Sequence, residues 1–190
     1  MGRFMNHKKW MAVIALAVTA LILTHLPVSE ADAAASASDF QTQGSTLVKY
    51  RGTEERVTIP DTVEVVGESA FENNQKVQFV VIPKSVKRLD AYVFWGCNNL
   101  EEVVLGKGLT AVDEYSFAGC TGLKQITIPE NIQSIDAQAF AGCVNLTDIY
   151  IPATVTGIAE DAFLNCDNVT IHADEGSVAA PVSYTHLRAH

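Results

Sequence analysis

The chain has 190 residues, a formal net charge of −9 and a hydrophobic residue content of 48%. This acidic balance argues against a nucleic-acid-binding protein, which needs a basic patch, and against adsorption to anionic membrane surfaces. The length suffices for one domain once a leader is removed, so we expect an acidic, soluble, exported domain.

Residues 1–35 are predicted to be a secretory signal peptide. Arg3, Lys8 and Lys9 form a basic segment, residues 11–23 are almost wholly apolar, and small residues at 31–35 fit a cleavage site. The apolar run is shorter than the ~20 residues of a membrane span, which disfavours the alternative of an uncleaved anchor. The mature protein is therefore expected to be secreted, extracellular or at the cell surface, with no membrane insertion after cleavage.

Residues 36–56 do not follow the pattern of the rest of the chain. The segments 46–50 and 57–59 are both β-prone and flank the turn-like Arg51-Gly52-Thr53. We predict a hairpin that joins the first turn and caps the array, because the first repeat would otherwise expose an apolar end and a free strand edge.

A 23-residue period governs the chain from residue 57 to residue 171. Its most regular segment is 117–129, FAGCTGLKQITIP, whose frame recurs one period earlier and one period later. Self-similarity at a fixed period of this length predicts a solenoid in which each repeat forms one turn. Five phenylalanines, one in each of five predicted repeats, form a structural ladder: Phe71, Phe94, Phe117, Phe140 and Phe163.

Each repeat has two predicted parts. A V/I/L-x-I/L-P segment, such as 126–129, places its outer pair inward and its middle residue outward, and stacked copies form a parallel β ladder. A second segment, such as 132–135, predicts a short second strand, followed by a helical turn into the phenylalanine. Asp90, Asp113 and Asp136 stand four residues before that phenylalanine, where capping of the turn is favoured over a calcium site.

Four cysteines occupy one column of the repeat. The ladder position favours small, buried, free thiols, although neighbouring turns lie close enough for disulfide pairing to remain an alternative. Ligands spaced by a whole repeat lack the spacing of zinc sites, so no metal is expected. The cysteine ladder consists of Cys97, Cys120, Cys143 and Cys166.

The frame F-x-G-C-x-x-L-x-x-I-x-I-P-x-x-V-x-x-I-x-x-x-A-F resembles the BspA-like leucine-rich repeats of bacterial surface and secreted antigens over about residues 57–171. The resemblance implies a leucine-rich repeat solenoid, surface display and adhesion to host or matrix proteins, with no catalytic motif and no cofactor. Local departures are Gly106 in place of proline and Asn74 in place of cysteine.

Residues 172–181 resemble the start of the strand-to-helix C-terminal cap of that family. Residues 182–190 fit neither repeat nor cap and resemble the translated end of a sequencing adapter, so we expect them to be foreign to the natural protein. The alternative is a natural unstructured tail.

The outward positions of the predicted strands form the candidate binding face. Phe79, Val81 and Val104 should form an exposed apolar patch with Tyr150 at its far side, and Trp95, which the frame does not demand, is a second candidate. The alternative is packing against a cap or a further domain. The candidate face comprises Arg56, Thr58, Phe79, Val81, Glu102, Val104, Gln125, Thr127, Asp148 and Tyr150.

Catalysis is not expected. His172 is the single histidine outside the predicted leader and tail, and the adjacent acidic residues occupy outward or linking positions. The sequence favours an exported leucine-rich repeat module that binds a protein or a glycan, without nucleic acid. The alternatives are a non-catalytic repeat region of a larger secreted enzyme and a structural spacer.

Overall fold

A computed structural model describes residues 35–173 and 177–179. Almost all of the predicted signal peptide, part of the predicted C-terminal cap and the whole of the predicted foreign tail lie outside the described residues.

The main element is a parallel sheet of six strands, one from each turn of a β-solenoid. The strands are stacked in the order of the chain, with equivalent residues of successive repeats side by side; Val57, Val80 and Val103 are in register. The strands are β3 (Arg56–Thr58), β5 (Phe79–Val81), β7 (Glu102–Val104), β9 (Gln125–Thr127), β11 (Asp148–Ile151) and β13 (Thr170–Ala173).

The alternation of the repeat explains these strands. The central residue of each three-residue strand is buried, as Val80 and Ile126 are, and its neighbours point to the other face. A proline ends most of the segments because it has no N–H to donate to the ladder. Six strands correspond to six turns, one more than the five predicted repeats, since β13 adds a further rung.

The second half of each repeat contributes a two-residue strand. Leu89 and Val112 are fully buried there, so these strands also contribute side chains to the hydrophobic core. They fall into two groups, with a break between the second and third. The strands are β4 (Val65–Val66) and β6 (Arg88–Leu89), then β8 (Ala111–Val112), β10 (Ser134–Ile135) and β12 (Gly157–Ile158).

The capping hairpin exists, but its predicted partner strand was wrong. It pairs β1 (Phe40–Gln43) antiparallel with β2 (Thr46–Tyr50) around a turn in which Gly44 has a φ of 59°. β2 pairs in parallel with β4, so the hairpin extends the second row of strands. Val57 stands one period before Val80 and therefore joins the main sheet. A 3-10 helix at Ala37–Asp39 precedes the hairpin.

The predicted helical turns before each phenylalanine are tight hydrogen-bonded turns. Positive φ angles occur two residues before and two residues after the phenylalanine, as at Tyr115 (54°) and Gly119 (72°) around Phe117. Residues in the left-handed region interrupt a right-handed helix, so the chain reverses direction within a few residues. Across the described array, residues 57–173, no helix is present for the aspartates to cap.

The phenylalanine ladder forms the centre of the core. Neighbouring ring centroids lie 4.9–5.4 Å apart, and the series continues into the hairpin through two rings that the period does not predict. The rings from Tyr50 to Phe163 are stacked, whereas Phe40 is tilted by 46° against Tyr50. All seven side chains are buried. This aromatic spine consists of Phe40, Tyr50, Phe71, Phe94, Phe117, Phe140 and Phe163.

Candidate binding surface

The outward side chains of the main sheet lie on one face in two parallel rows. One row runs through Arg56, Phe79, Glu102, Gln125 and Asp148, which are paired in register from strand to strand. The other runs beside it through Thr58, Val81, Val104, Thr127 and Tyr150. All ten residues of the predicted face therefore share one side of the sheet, which we call the outer face.

The outer face is apolar on its second and third strands. Phe79 and Val81 lie on β5 and Val104 lies beside Val81 on β7, and all three are half-buried. The Arg56 guanidinium lies over the Phe79 ring, 4.3 Å from its centroid, a cation–π contact that shields one side of the ring. The patch is therefore contiguous but less exposed than expected.

Tyr150 differs from the prediction, because it is buried with 5% of its surface exposed. It lies on the outer face between Thr127 of β9 and His172 of β13. The His172 Nε2 atom is 2.9 Å from an Asp148 carboxylate oxygen. The flanking strand on each side thus leaves Tyr150 little contact with solvent.

The sixth rung adds two residues to the outer face, Thr170 and His172. They were not among the predicted face residues because the prediction placed main strands in five repeats only and took residues 165–171 as the completion of the last turn. The signal was present in the sequence, since 169–171 repeats the apolar alternation of the earlier strands.

Trp95 does not belong to the outer face. It lies in the tight turn after Phe94, outside the strands of the main sheet, and is 41% exposed. Its backbone N–H donates to the Tyr92 carbonyl, 3.1 Å away. The structure therefore separates the predicted binding residues into two surfaces.

The cysteine ladder is buried, and its four thiols are free. Each Sγ lies within hydrogen-bonding distance of the carbonyl oxygen of the phenylalanine 26 residues earlier; the Cys120 Sγ is 3.1 Å from the Phe94 oxygen. Burial raises the pKa of the Cys97 thiol to about 12 and that of Cys120 well above its ordinary value. The thiols therefore act as small apolar groups that also satisfy a main-chain carbonyl.

Asp90, Asp113 and Asp136 form a row between the two-residue strands and the tight turns. The Asp90 carboxylate accepts from the Arg88 Nε atom at 2.6 Å, whereas Asp113 is half-buried between neighbours of like charge. Desolvation, and then the charges of Asp136 and Asp90, raise the pKa of Asp113 to about 6. Among the described residues, no group of three or more histidine, cysteine, aspartate or glutamate side chains is arranged to hold a metal ion.

Replacing Asp113 by asparagine is expected to stabilise the protein above pH 6. The pKa of the Asp113 carboxyl is raised from 3.8 to about 6 in the folded state, so ionisation of this carboxyl opposes folding. The free energy of unfolding therefore falls as pH rises between these two values. The side chain is partly exposed, so the expected gain at pH 7 is about 1 kcal/mol. Urea unfolding across pH measures it, with Asp61→Asn at an exposed site as control. A gain that persists at about pH 4 would contradict this assignment.

In the described part of the chain no helix is long and apolar enough to cross a membrane.

The turns define the class of the protein. Each carries a leucine-type position followed by an alternating strand, as in Leu123, Ile126 and Ile128, and this pattern in a parallel β-solenoid is that of a leucine-rich repeat protein. The model of the BspA type leucine-rich repeat region matches residues 49–170 in six copies. The chain therefore belongs to this family.

Solved bacterial structures share the fold. A leucine-rich cell surface protein from Faecalibacterium prausnitzii is 34% identical over 73% of this chain and 37% of that chain, with a TM-score of 0.68. The leucine-rich repeat protein of T. pallidum is 26% identical over 73% of this chain and 70% of that chain, with a TM-score of 0.70. A leucine-rich repeat protein from Bacteroides ovatus is 29% identical over 68% of this chain and 36% of that chain, with a TM-score of 0.60. No curated protein matches the sequence.

Proposed function

We propose that the chain is an exported leucine-rich repeat module that binds a protein or a glycan at the cell surface through its outer face. The observation that carries this proposal is the contiguous, partly exposed cluster of Phe79, Val81 and Val104 on the second and third strands of a regular six-stranded sheet. Neither the repeat nor the core requires apolar residues on that side, since Thr58 and Thr127 occupy the same row. Apolar groups placed together on a surface mark contact sites more often than scattered ones.

The family supports the proposal in a general way. Solenoids present extended sheet surfaces for recognition, and the relative from F. prausnitzii is described as a cell surface protein. The chain spans 37% of the length of that relative, so a non-catalytic repeat region within a larger secreted enzyme is the second candidate. A structural spacer is disfavoured because it would not need the apolar cluster.

Replacing Phe79 by serine is expected to weaken partner binding while changing the melting temperature little. An aromatic anchor at the centre of an interface contributes about 2 kcal/mol or more, so affinity should fall about 30-fold. Labelled protein is applied to arrays of extracellular matrix proteins and of glycans, and the signal of each variant is compared on the spots that the parent chain binds.

Gln133→Ser is the control, because Gln133 is exposed and precedes β10 in the second half of its repeat, outside the outer face. The control should bind like the parent chain. A Phe79→Ser variant that melts at a much lower temperature but binds normally would show that the cluster is structural and that the outer face is not the binding surface.

A further inference from the structure

A second surface of this chain contains three aromatic side chains that the proposed binding face does not include. Tyr92 and Trp95 are the ends of one tight turn, joined by the Trp95 N–H to Tyr92 carbonyl bond of 3.1 Å, so their Cα atoms lie within about 7 Å. Tyr115 occupies the position of Tyr92 in the next turn, and the two tyrosine rings stack with centroids 4.7 Å apart and planes 12° apart. We call Tyr92, Trp95 and Tyr115 the tyrosine–tryptophan patch.

The fold does not require aromatic residues at these positions. Ser69 and Gln138 occupy the tyrosine position in the flanking turns, where Ser69 has a φ of 57° and Gln138 a φ of 52°. Tyr92 and Tyr115 adopt the same left-handed conformation, with φ angles of 61° and 54°, which bulky side chains disfavour. The tyrosines are therefore present despite the local backbone, which indicates a role for their rings.

The surroundings of Trp95 leave its indole accessible. The equivalent position in the next turn is Ala118, which is only 4% exposed, and the one after that is Ala141. A tryptophan that is 41% exposed is thus followed in its row by two small residues, which have little side chain with which to cover the indole.

The border of the patch is acidic. Glu72 precedes Trp95 in its row by one turn, and the exposed Glu114 is adjacent to Tyr115 in sequence. Asp113 stands two residues before Tyr115, and desolvation, followed by the charges of Asp136 and Asp90, raises the pKa of its carboxyl. The nearby bases are engaged locally, since Arg88 pairs with Asp90 and the Lys49 Nζ atom donates to the Ser69 carbonyl at 2.8 Å.

We propose that the tyrosine–tryptophan patch binds an arginine- or lysine-bearing segment of a partner protein. A cation over the face of tryptophan or tyrosine is attracted by the ring quadrupole, and carboxylates at the border pair with the same charge. The chain already makes such a contact internally, where the Arg56 guanidinium lies over Phe79. The net charge of −9 favours approach of a cationic partner over an anionic one.

The test uses the full chain and a fluorescein-labelled hexa-arginine peptide, with fluorescence anisotropy in about 0.15 M salt, where non-specific attraction is screened. Trp95→Ala is expected to weaken binding of the peptide about tenfold. Leu164→Ala is the matched control, since Leu164 occupies the same row three turns later and is 46% exposed. Glu114→Gln should weaken binding, and Glu160→Gln, two turns later in the same row, should not.

Trp95→Leu is a second variant, which introduces the residue that the same row carries at Leu164 and so separates loss of the indole from loss of folding. It should bind the peptide as weakly as Trp95→Ala while melting like the parent chain. Equal losses in the Trp95 and Leu164 variants, or no binding of the peptide, would overturn the proposal. Binding of the neutral hexasaccharide cellohexaose that depends on Trp95, without binding of hexa-arginine, would assign the patch to a glycan and overturn it as well.

Discussion

Replacing Phe117 by alanine is expected to lower the free energy of unfolding by about 3–5 kcal/mol. Phe117 is completely buried and is the third of the five ladder phenylalanines, with its ring centroid 5.3 Å from that of Phe94 and 5.4 Å from that of Phe140. The two stacked contacts are nearly parallel, at 6° and 7°. Removing the ring leaves a cavity between two turns that the rigid neighbouring backbone cannot fill. The loss of buried apolar surface and the cavity itself therefore both lower the free energy of unfolding.

The position of Phe117 adds a second expected result. In a solenoid each turn contacts only its neighbours, so a cavity at a central rung weakens the coupling between the turns before it and the turns after it. Urea unfolding followed by circular dichroism should show a lower midpoint and a broader transition than in the parent chain. Trp95→Ala is the control, because it removes an aromatic side chain that is 41% exposed. Equal midpoint shifts in the two variants would contradict the assignment of Phe117 to the core.

The sequence period predicts the centre of this fold well because every turn repeats the same burial requirement. Phe117 and Cys120 recur at equivalent positions and are buried as expected. Tyr50 was missed because it precedes Phe71 by 21 residues and thus falls outside the 23-residue frame, although its ring stacks on Phe71 at 4.9 Å. The partner of the cap strand was wrong for a related reason, since β-propensity identifies a strand and leaves its neighbour undetermined.

The candidate surfaces were predicted less completely. Alternation within a strand identifies which residues share the outer face, but it does not reveal how far neighbours cover them, which is why the burial of Tyr150 was not expected. The link between Tyr92 and Trp95 depends on the tight turn that joins them. Their three-residue separation was the available signal, and it would have been informative only if a turn had been predicted in place of a helical segment.

The third repeat offers a test in which restoring the repeat pattern should be harmful. Four of the first five repeats carry proline after the main strand, as at Pro83, and the third carries Gly106. Gly106→Pro therefore looks like a stabilising consensus change. A Cβ atom at Gly106 would lie closer than 3.0 Å to the carbonyl oxygens of Ile82 and Pro83. We expect the substitution to destabilise the protein by about 1–3 kcal/mol, because backbone atoms cannot move aside cheaply.

Gly108 reinforces this expectation, since a Cβ there would approach the carbonyl oxygens of Lys84 and Val86 as closely. Both glycines lie between β7 and β8, close to the break in the second row of strands, and there the third turn lies against the backbone of the second. Gly157→Ala is the control, because its Cβ would meet only the Ser134 Cβ at an ordinary 3.8 Å. Urea midpoints of Gly106→Pro and Gly157→Ala should differ clearly; a Gly106→Pro variant as stable as the parent chain would show that this turn has the same spacing as its neighbours.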